Sequence, residues 1–200
     1  MNFSFKLKNI AGLALIAVTI FNLSSCKNDD NEVTPVILLD SKATVKTSTI
    51  PVGSKDTKFF DLVKNVVTEK AETSTITLSG MSGSSLKPST TAYKFGYFDL
   101  TGKTVEDIKV ADLKGLAFKE TTSLGLDASV MGVPSSVPTW VVYAGPPTHL
   151  ISPVANRFIL LYKGSELNEN ADDVIIFKID QLTQVSSDAT YTLKVKHFVK

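Results

Sequence analysis

The chain has 200 residues, with 21 Lys and Arg against 20 Asp and Glu, one cysteine and two histidines. This near-neutral balance excludes the basic footprint that a nucleic-acid partner requires, and a lone cysteine excludes an internal disulfide. The length allows one folded domain behind a distinct N-terminal segment.

Residues 1–25 are unlike the rest. Lys6 and Lys8 form a short basic head, and an apolar run from Ile10 to Leu23 follows, interrupted only by Thr19 and Asn22. As a helix this run reaches about 21 Å, short of the roughly 30 Å hydrocarbon core of a bilayer, so it reads as a signal peptide and not as a stable span. Next stands Leu23-Ser24-Ser25-Cys26. An apolar residue and two small ones ahead of a cysteine resemble the lipobox of bacterial lipoproteins. The resemblance implies diacylglycerol on the Cys26 thiol, cleavage just before it, and acyl anchoring of the mature chain. One acyl chain holds a protein weakly, at about 0.8 kcal/mol per buried CH₂, whereas two or three make the attachment effectively permanent.

Lys27-Asn28-Asp29-Asp30-Asn31-Glu32 follows. It is similar to the acidic export signal of Bacteroidota surface lipoproteins, which implies display on the outer face of the outer membrane. A periplasm-facing position, with the same run as a solvated spacer, is the alternative. Loss of Lys6 and Lys8 leaves 19 basic and 20 acidic residues, a net charge of −1. Residues 26–200 can remove about 70% of their unfolded surface from water.

Residues 26–43 read as the lipidated cysteine and a flexible tether, and residues 44–200 as a single β-rich domain. Thr, Val, Ile, Phe and Tyr are abundant and turn residues recur at short intervals, predicting strands over 44–50, 74–79, 92–100, 115–120, 137–144, 156–163, 173–180 and 189–199. In the last, Tyr191, Leu193, Val195 and Val199 share one face, with Thr190, Thr192, Lys194 and Lys196 on the other. The apolar runs Arg157 to Tyr162 and Val174 to Ile179 suit central strands of a covered sheet. Helical spacing recurs at Phe59, Leu62, Val63, Val66 and Val67 with Asp56 as N-cap, opposed by the β-branched content. Thr104-Val105-Glu106-Asp107 fits a capping box, with Gly115 as the stop. The Ser/Gly-rich stretch from Ser79 to Ser85 reads as a flexible loop. The expected fold is mainly β, an antiparallel sandwich or curved sheet with at most one or two short helices.

Motif readings are mostly negative. Gly102-Lys103-Thr104 lacks the glycine spacing of a phosphate loop and reads as a hairpin turn. Gly80-Met81-Ser82-Gly83-Ser84 lacks the second glycine of a nucleophile elbow. Asn168-Glu169-Asn170-Ala171-Asp172-Asp173 alternates side-chain oxygens as a calcium loop does, but Asp173 and Ile179 stand where an EF-hand needs glycine and glutamate. No nucleophile–base pair or carboxylate dyad has a recognisable spacing, so a non-enzymatic protein is expected, without catalytic residues or a metal site.

His197 lies on the apolar side of its strand, where an imidazole needs a hydrogen-bond partner or a metal. His149 sits in the proline-stiffened loop Gly145-Pro146-Pro147-Thr148-His149 after the strand carrying Trp140. Two histidines are too few for zinc, yet two axial ligands suffice for haem, and Met81 or Met131 can supply sulfur. The candidate ligand-binding residues are His149, His197, Met131, Trp140 and Tyr143, around a groove near loops 80–91 and 131–149.

Tyr97-Phe98-Asp99-Leu100-Thr101-Gly102-Lys103-Thr104-Val105, followed by Leu116-Ala117-Phe118, is similar to the HmuY-type haem-binding lipoproteins of Bacteroidota. Lys114-Gly115 stands in place of that family's tryptophan–aspartate pair. The resemblance implies a mainly β fold and haem as ligand, and it places no ligating residue by motif. The expected function is therefore a lipid-anchored binding or interaction lipoprotein of the envelope or cell surface. Its partners are the membrane, through the N-terminal lipid, and a small apolar ligand or an envelope protein. HmuY-like haem binding is the alternative.

Overall fold

The computed structural model describes residues 35–200. The signal peptide, the lipobox with Cys26 and the acidic run lie outside the described residues.

The described chain is mainly β, as the alternating pattern predicts, and its strands form three sheets. A six-stranded antiparallel sheet runs in the order β1 (Thr44–Val52), β13 (Asp188–Val199), β12 (Asp173–Val185), β11 (Arg157–Lys163), β6 (Lys94–Asp99) and β7 (Lys119–Glu120). A four-stranded sheet orders β3 (Val66–Thr68), β2 (Lys58–Asp61), β4 (Ile76–Ser79) and β5 (Ser85–Pro88). A three-stranded sheet orders β10 (Ile151–Pro153), β9 (Thr139–Tyr143) and β8 (Gly125–Asp127), in which β8 and β9 are parallel. Helical structure among the described residues is confined to short 3₁₀ turns, the longest being Val110–Gly115.

The period-2 pattern of the large sheet feeds two separate cores. On its first face, Ile50, Ile159, Ile175, Phe177, Tyr191 and Leu193 pack against the two smaller sheets, giving a layered β structure. On its second face, Phe98, Phe158, Leu160, Val174, Ile176 and Phe198 are covered by segment 100–118, whose Val105, Ile108 and Leu113 point inward, and by Leu38. The runs in β11 and β12 are thus buried on both sides, as their continuous hydrophobicity predicts, and each such side chain contributes about 1.5–3 kcal/mol. Residues 35–43, grouped with the tether on sequence, run along this second core: Leu38 is buried and its N–H donates to Glu169 O at 2.8 Å.

The structure corrects four sequence expectations. The helical spacing at Phe59 to Val67 belongs to the β2–β3 hairpin. Asp61 Oδ1 accepts the N–H groups of Val63 and Lys64 at 2.9 and 3.0 Å, and Asn65 adopts φ +63°, closing a turn where a helix would need regular dihedrals. Asp56 accepts from Gly53 N–H instead of capping a helix. The capping-box residues are partly realised without a full helix: Asp107 accepts from Thr104 N–H and hydroxyl, and only the 3₁₀ turn follows. Over 115–120 only Lys119–Glu120 pairs as strand, while Leu116 and Phe118 turn toward the second core. Lys196, placed with Thr190, Thr192 and Lys194 on the polar face of its strand, is buried because segment 100–118 covers it. Its ammonium donates to Glu106 O at 2.9 Å and Ile108 O at 2.6 Å.

The Phe118 turn depends on Gly96. A Cβ at that position would lie 2.2 Å from Lys119 O and 2.7 Å from Phe118 Cε2. Gly96→Ala is expected to destabilise the protein by about 1–3 kcal/mol, read as a lower urea midpoint. An unchanged midpoint would contradict this packing.

Candidate functional site

The two ends of the long β12–β13 hairpin differ in chemistry. At the end where β12 begins, the first face of the large sheet carries a cross-strand polar row. Asp173 Oδ1 accepts from His197 Nε2 at 2.7 Å and Asp173 Oδ2 from the Tyr93 hydroxyl at 2.6 Å. Lys163 Nζ lies 3.9 Å from Oδ2 and 4.3 Å from the centroid of the Tyr93 ring. A carboxylate only accepts, so His197 carries its proton on Nε2. Burial acts to raise the Asp173 carboxyl, but the hydrogen bonds from His197 and Tyr93 and the charge of Lys163 outweigh it and hold it below the usual range. Burial, with Asp173 beside it, pushes the Tyr93 phenol up. The side chains of this row satisfy one another at the end where residues 35–43 join the body.

At the opposite end, the turn after Val185 gathers loops from the smaller sheets. Ser82 hydroxyl donates to Ser187 O, and Gln184 bridges the 144–150 loop by donating to His149 O at 3.2 Å and accepting from Ile151 N–H at 2.9 Å. Val130 lies against Gly145, where an added Cβ would meet it at 3.1 Å. Six large apolar side chains remain exposed here: Met81, Val130, Met131, Val133, Leu150 and Val185, the last at 77%. Tyr143 hydroxyl and His149 Nδ1 share a hydrogen bond. His149 holds φ +56°, a left-handed conformation that costs a non-glycine residue roughly 1–2 kcal/mol.

The sequence-predicted residues therefore separate. Met131, Tyr143 and His149 belong to the apolar end. Trp140 is core: it stacks on Tyr191 with centroids 4.9 Å apart, and its Nε1–H donates to Ser84 O at 2.6 Å. His197 belongs to the polar end. His149 sits beside Gln184, which pairs with Ala189, and from Ala189 to His197 β13 advances about 26 Å. One iron cannot take both histidines.

The Ser79–Ser85 stretch, expected as a flexible loop, is instead a packed turn. Ser82 is buried at φ +53°, and its carbonyl accepts from the Tyr191 hydroxyl at 2.8 Å. Of the calcium-loop oxygens, Asp172 pairs with Lys200 and Asp173 with His197, and no group of three metal-ligating side chains forms among the described residues.

Sequence reasoning missed Val130, Val133, Leu150 and Val185. The readable signal was Val130-Met131-Gly132-Val133, an apolar run without strand length, bounded by Pro134. No family model, curated protein or solved structure matches the chain.

The polar row predicts acid sensitivity. A carboxylate whose folded pKa is depressed contributes stability that is present above its unfolded value and lost as pH falls through the folded one. The protein is expected to lose stability progressively below roughly pH 4 through Asp173. Asp173→Asn is expected to be less stable at pH 7 and to show a flatter loss on acidification in pH-dependent urea unfolding. Parallel curves for the two proteins would remove Asp173 from this role.

Proposed function

We propose that this chain is a lipid-anchored envelope lipoprotein, tethered through Cys26, that holds a protein partner of the envelope at its apolar end. The observation that carries the reading is the opposition of that end to the chain's point of entry. Residue 38 docks beside Glu169, ahead of the first residue of β12, and the six exposed apolar side chains surround the turn after its last. Thirteen strand residues, Asp173–Val185, separate the two, about 40 Å. The described chain begins at the polar end, so the apolar end lies at the other end of the hairpin from residue 38. Exposed apolar surface of this kind, left uncovered by its own fold, is what a partner's apolar surface covers.

Haem capture is the second reading, and one contact favours it. The Tyr143 bond to His149 Nδ1 orients the imidazole, and with Nδ1–H as its donor the Nε2 lone pair is left for a ligand, which is how metal-binding histidines are commonly oriented. Met131 and the surrounding aliphatic side chains suit a flat apolar molecule.

Three measurements test these readings. The full chain expressed in a lipoprotein-processing bacterium is expected in the detergent phase of a cloud-point separation, and Cys26→Ser in the aqueous phase. Equal partitioning would sink the anchor. In crosslinking from the native envelope, Val130→Glu with Leu150→Glu is expected to cut recovery of the partner at least tenfold without lowering Tm. Recovery unaffected by these substitutions would place the contact elsewhere. Titration with haemin separates the second reading: it requires a ligated Soret band that His149→Ala removes and His197→Ala leaves, and no response at micromolar haemin ends it.

A further inference from the structure

The second face of the large sheet is covered only over part of its length. Where segment 100–118 begins to cross it, a cavity of about 310 Å³ opens, lined by Lys103, Thr104, Glu106, Lys178, Asp180 and Lys194. Two features of its construction run against stability.

The first is a like-charge pair. Lys178 on β12 stands directly opposite Lys194 on β13 in the strand register, and both contribute to the cavity. Directly opposed like charges destabilise a sheet. Lys58, Lys64, Lys163 and Lys200 each have a carboxylate within 4.0 Å. Among the described residues, none of Lys103, Lys178 and Lys194 forms such an ion pair, and Lys178 Nζ lies 4.9 Å from the centroid of the Phe158 ring instead. The second feature is a β-bulge. The register of β12 against β13 shifts between Ile179 and Gln181, so Asp180 is the extra residue, and it too lines the cavity. The bulge keeps Ile179 and Leu182 both on the first core while aiming a carboxylate at the cavity. The carbonyl of Glu106 is pinned by the buried Lys196, which fixes the opposite wall.

Three lysines outnumber the two carboxylates of this lining, and with none of the three held in a close ion pair they attract an anion. The two carboxylates, Asp180 and Glu106, repel a bare one and accept hydrogen bonds from hydroxyl groups. Together they select a ligand carrying both. We propose that this cavity binds a small acidic sugar, its anionic group on Lys103, Lys178 and Lys194 and its ring hydroxyls on Asp180 and Glu106. The volume lies at the lower bound of ligand sites, which suits about one sugar unit. This site is on a different face from the apolar end and does not depend on what that end holds.

The test uses the full chain in detergent, with glucose 6-phosphate, glucuronate, inorganic phosphate and glucose as probes. Calorimetry is expected to show the phosphorylated or carboxylated sugar binding at least tenfold more tightly than inorganic phosphate, with no binding of glucose and with affinity falling as salt rises. The arm that wins distinguishes a phosphate from a carboxylate as the anionic group. Lys194→Thr and Lys178→Gln are each expected to weaken binding tenfold or more, while Lys70→Gln, at an exposed turn, leaves it unchanged. In the absence of ligand Lys194→Thr is expected to raise Tm by about 1–3 °C, since it relieves the opposed pair. Equal affinity for inorganic phosphate, full binding by the lysine variants, or a lower Tm in Lys194→Thr would overturn the proposal.

Discussion

The stacked pair of Trp140 and Tyr191 is the contact on which the other layers hang. Trp140 belongs to the three-stranded sheet and Tyr191 to the six-stranded one, and their rings lie 4.9 Å apart at 7°. Both polar tips reach the chain that leads into the four-stranded sheet: the indole N–H donates to Ser84 O and the phenol to Ser82 O. In a dry core each of these donors would cost about 1–3 kcal/mol if left unpaired. One aromatic pair thus fixes the mutual positions of three sheets. The smallness of this turn has a separate cause at Gly83, where a Cβ would approach Val52 of β1 to 2.9 Å. A sequence that looks like a slack loop is small at Gly83 because β1 packs against its backbone.

A second constraint follows from having apolar side chains on both faces of β11 and β12. Each face must be covered, and only the first is covered by sheet. The second is closed by a largely irregular segment, whose backbone groups need partners that no strand supplies. Buried Lys196 supplies two of them, and Asp40 accepts from Val110 N–H at 3.0 Å. At the sheet's rim, cations cover rings that would otherwise meet water: Arg157 lies 4.2 Å from the Tyr97 centroid while forming two hydrogen bonds with Asp99.

These devices leave the molecule polarised. Hydrogen bonds and an ion pair join the polar side chains around Asp173 where β12 begins, although Val36, Leu39 and Val45 are also exposed near that end. The other end keeps its apolar loops bare, although Gln184 and Ser82 tie those loops firmly to the hairpin. A rigid support under an uncovered apolar surface is the arrangement expected of a binding face, where the ordering cost is met before the partner arrives.

Sequence alone determined what depends on neighbouring residues. Alternation along Tyr191, Leu193 and Val195 set the faces of β13, and the unbroken runs in β11 and β12 announced central strands, because side-chain direction along a strand is a local property. Short strands such as β8 and β10 left no such trace: three residues carry too little pattern, and their pairing partners lie elsewhere in the chain. Only the tertiary structure decided which candidates share a site. His149 and His197 are chemically alike in sequence, yet the register of one hairpin sets them at opposite ends. Lys178 and Lys194 became opposed by the same pairing, and Trp140 passed from candidate ligand-binding residue to core. Such relations arise from contacts between distant segments, which fix the position of a side chain only after all the layers have closed.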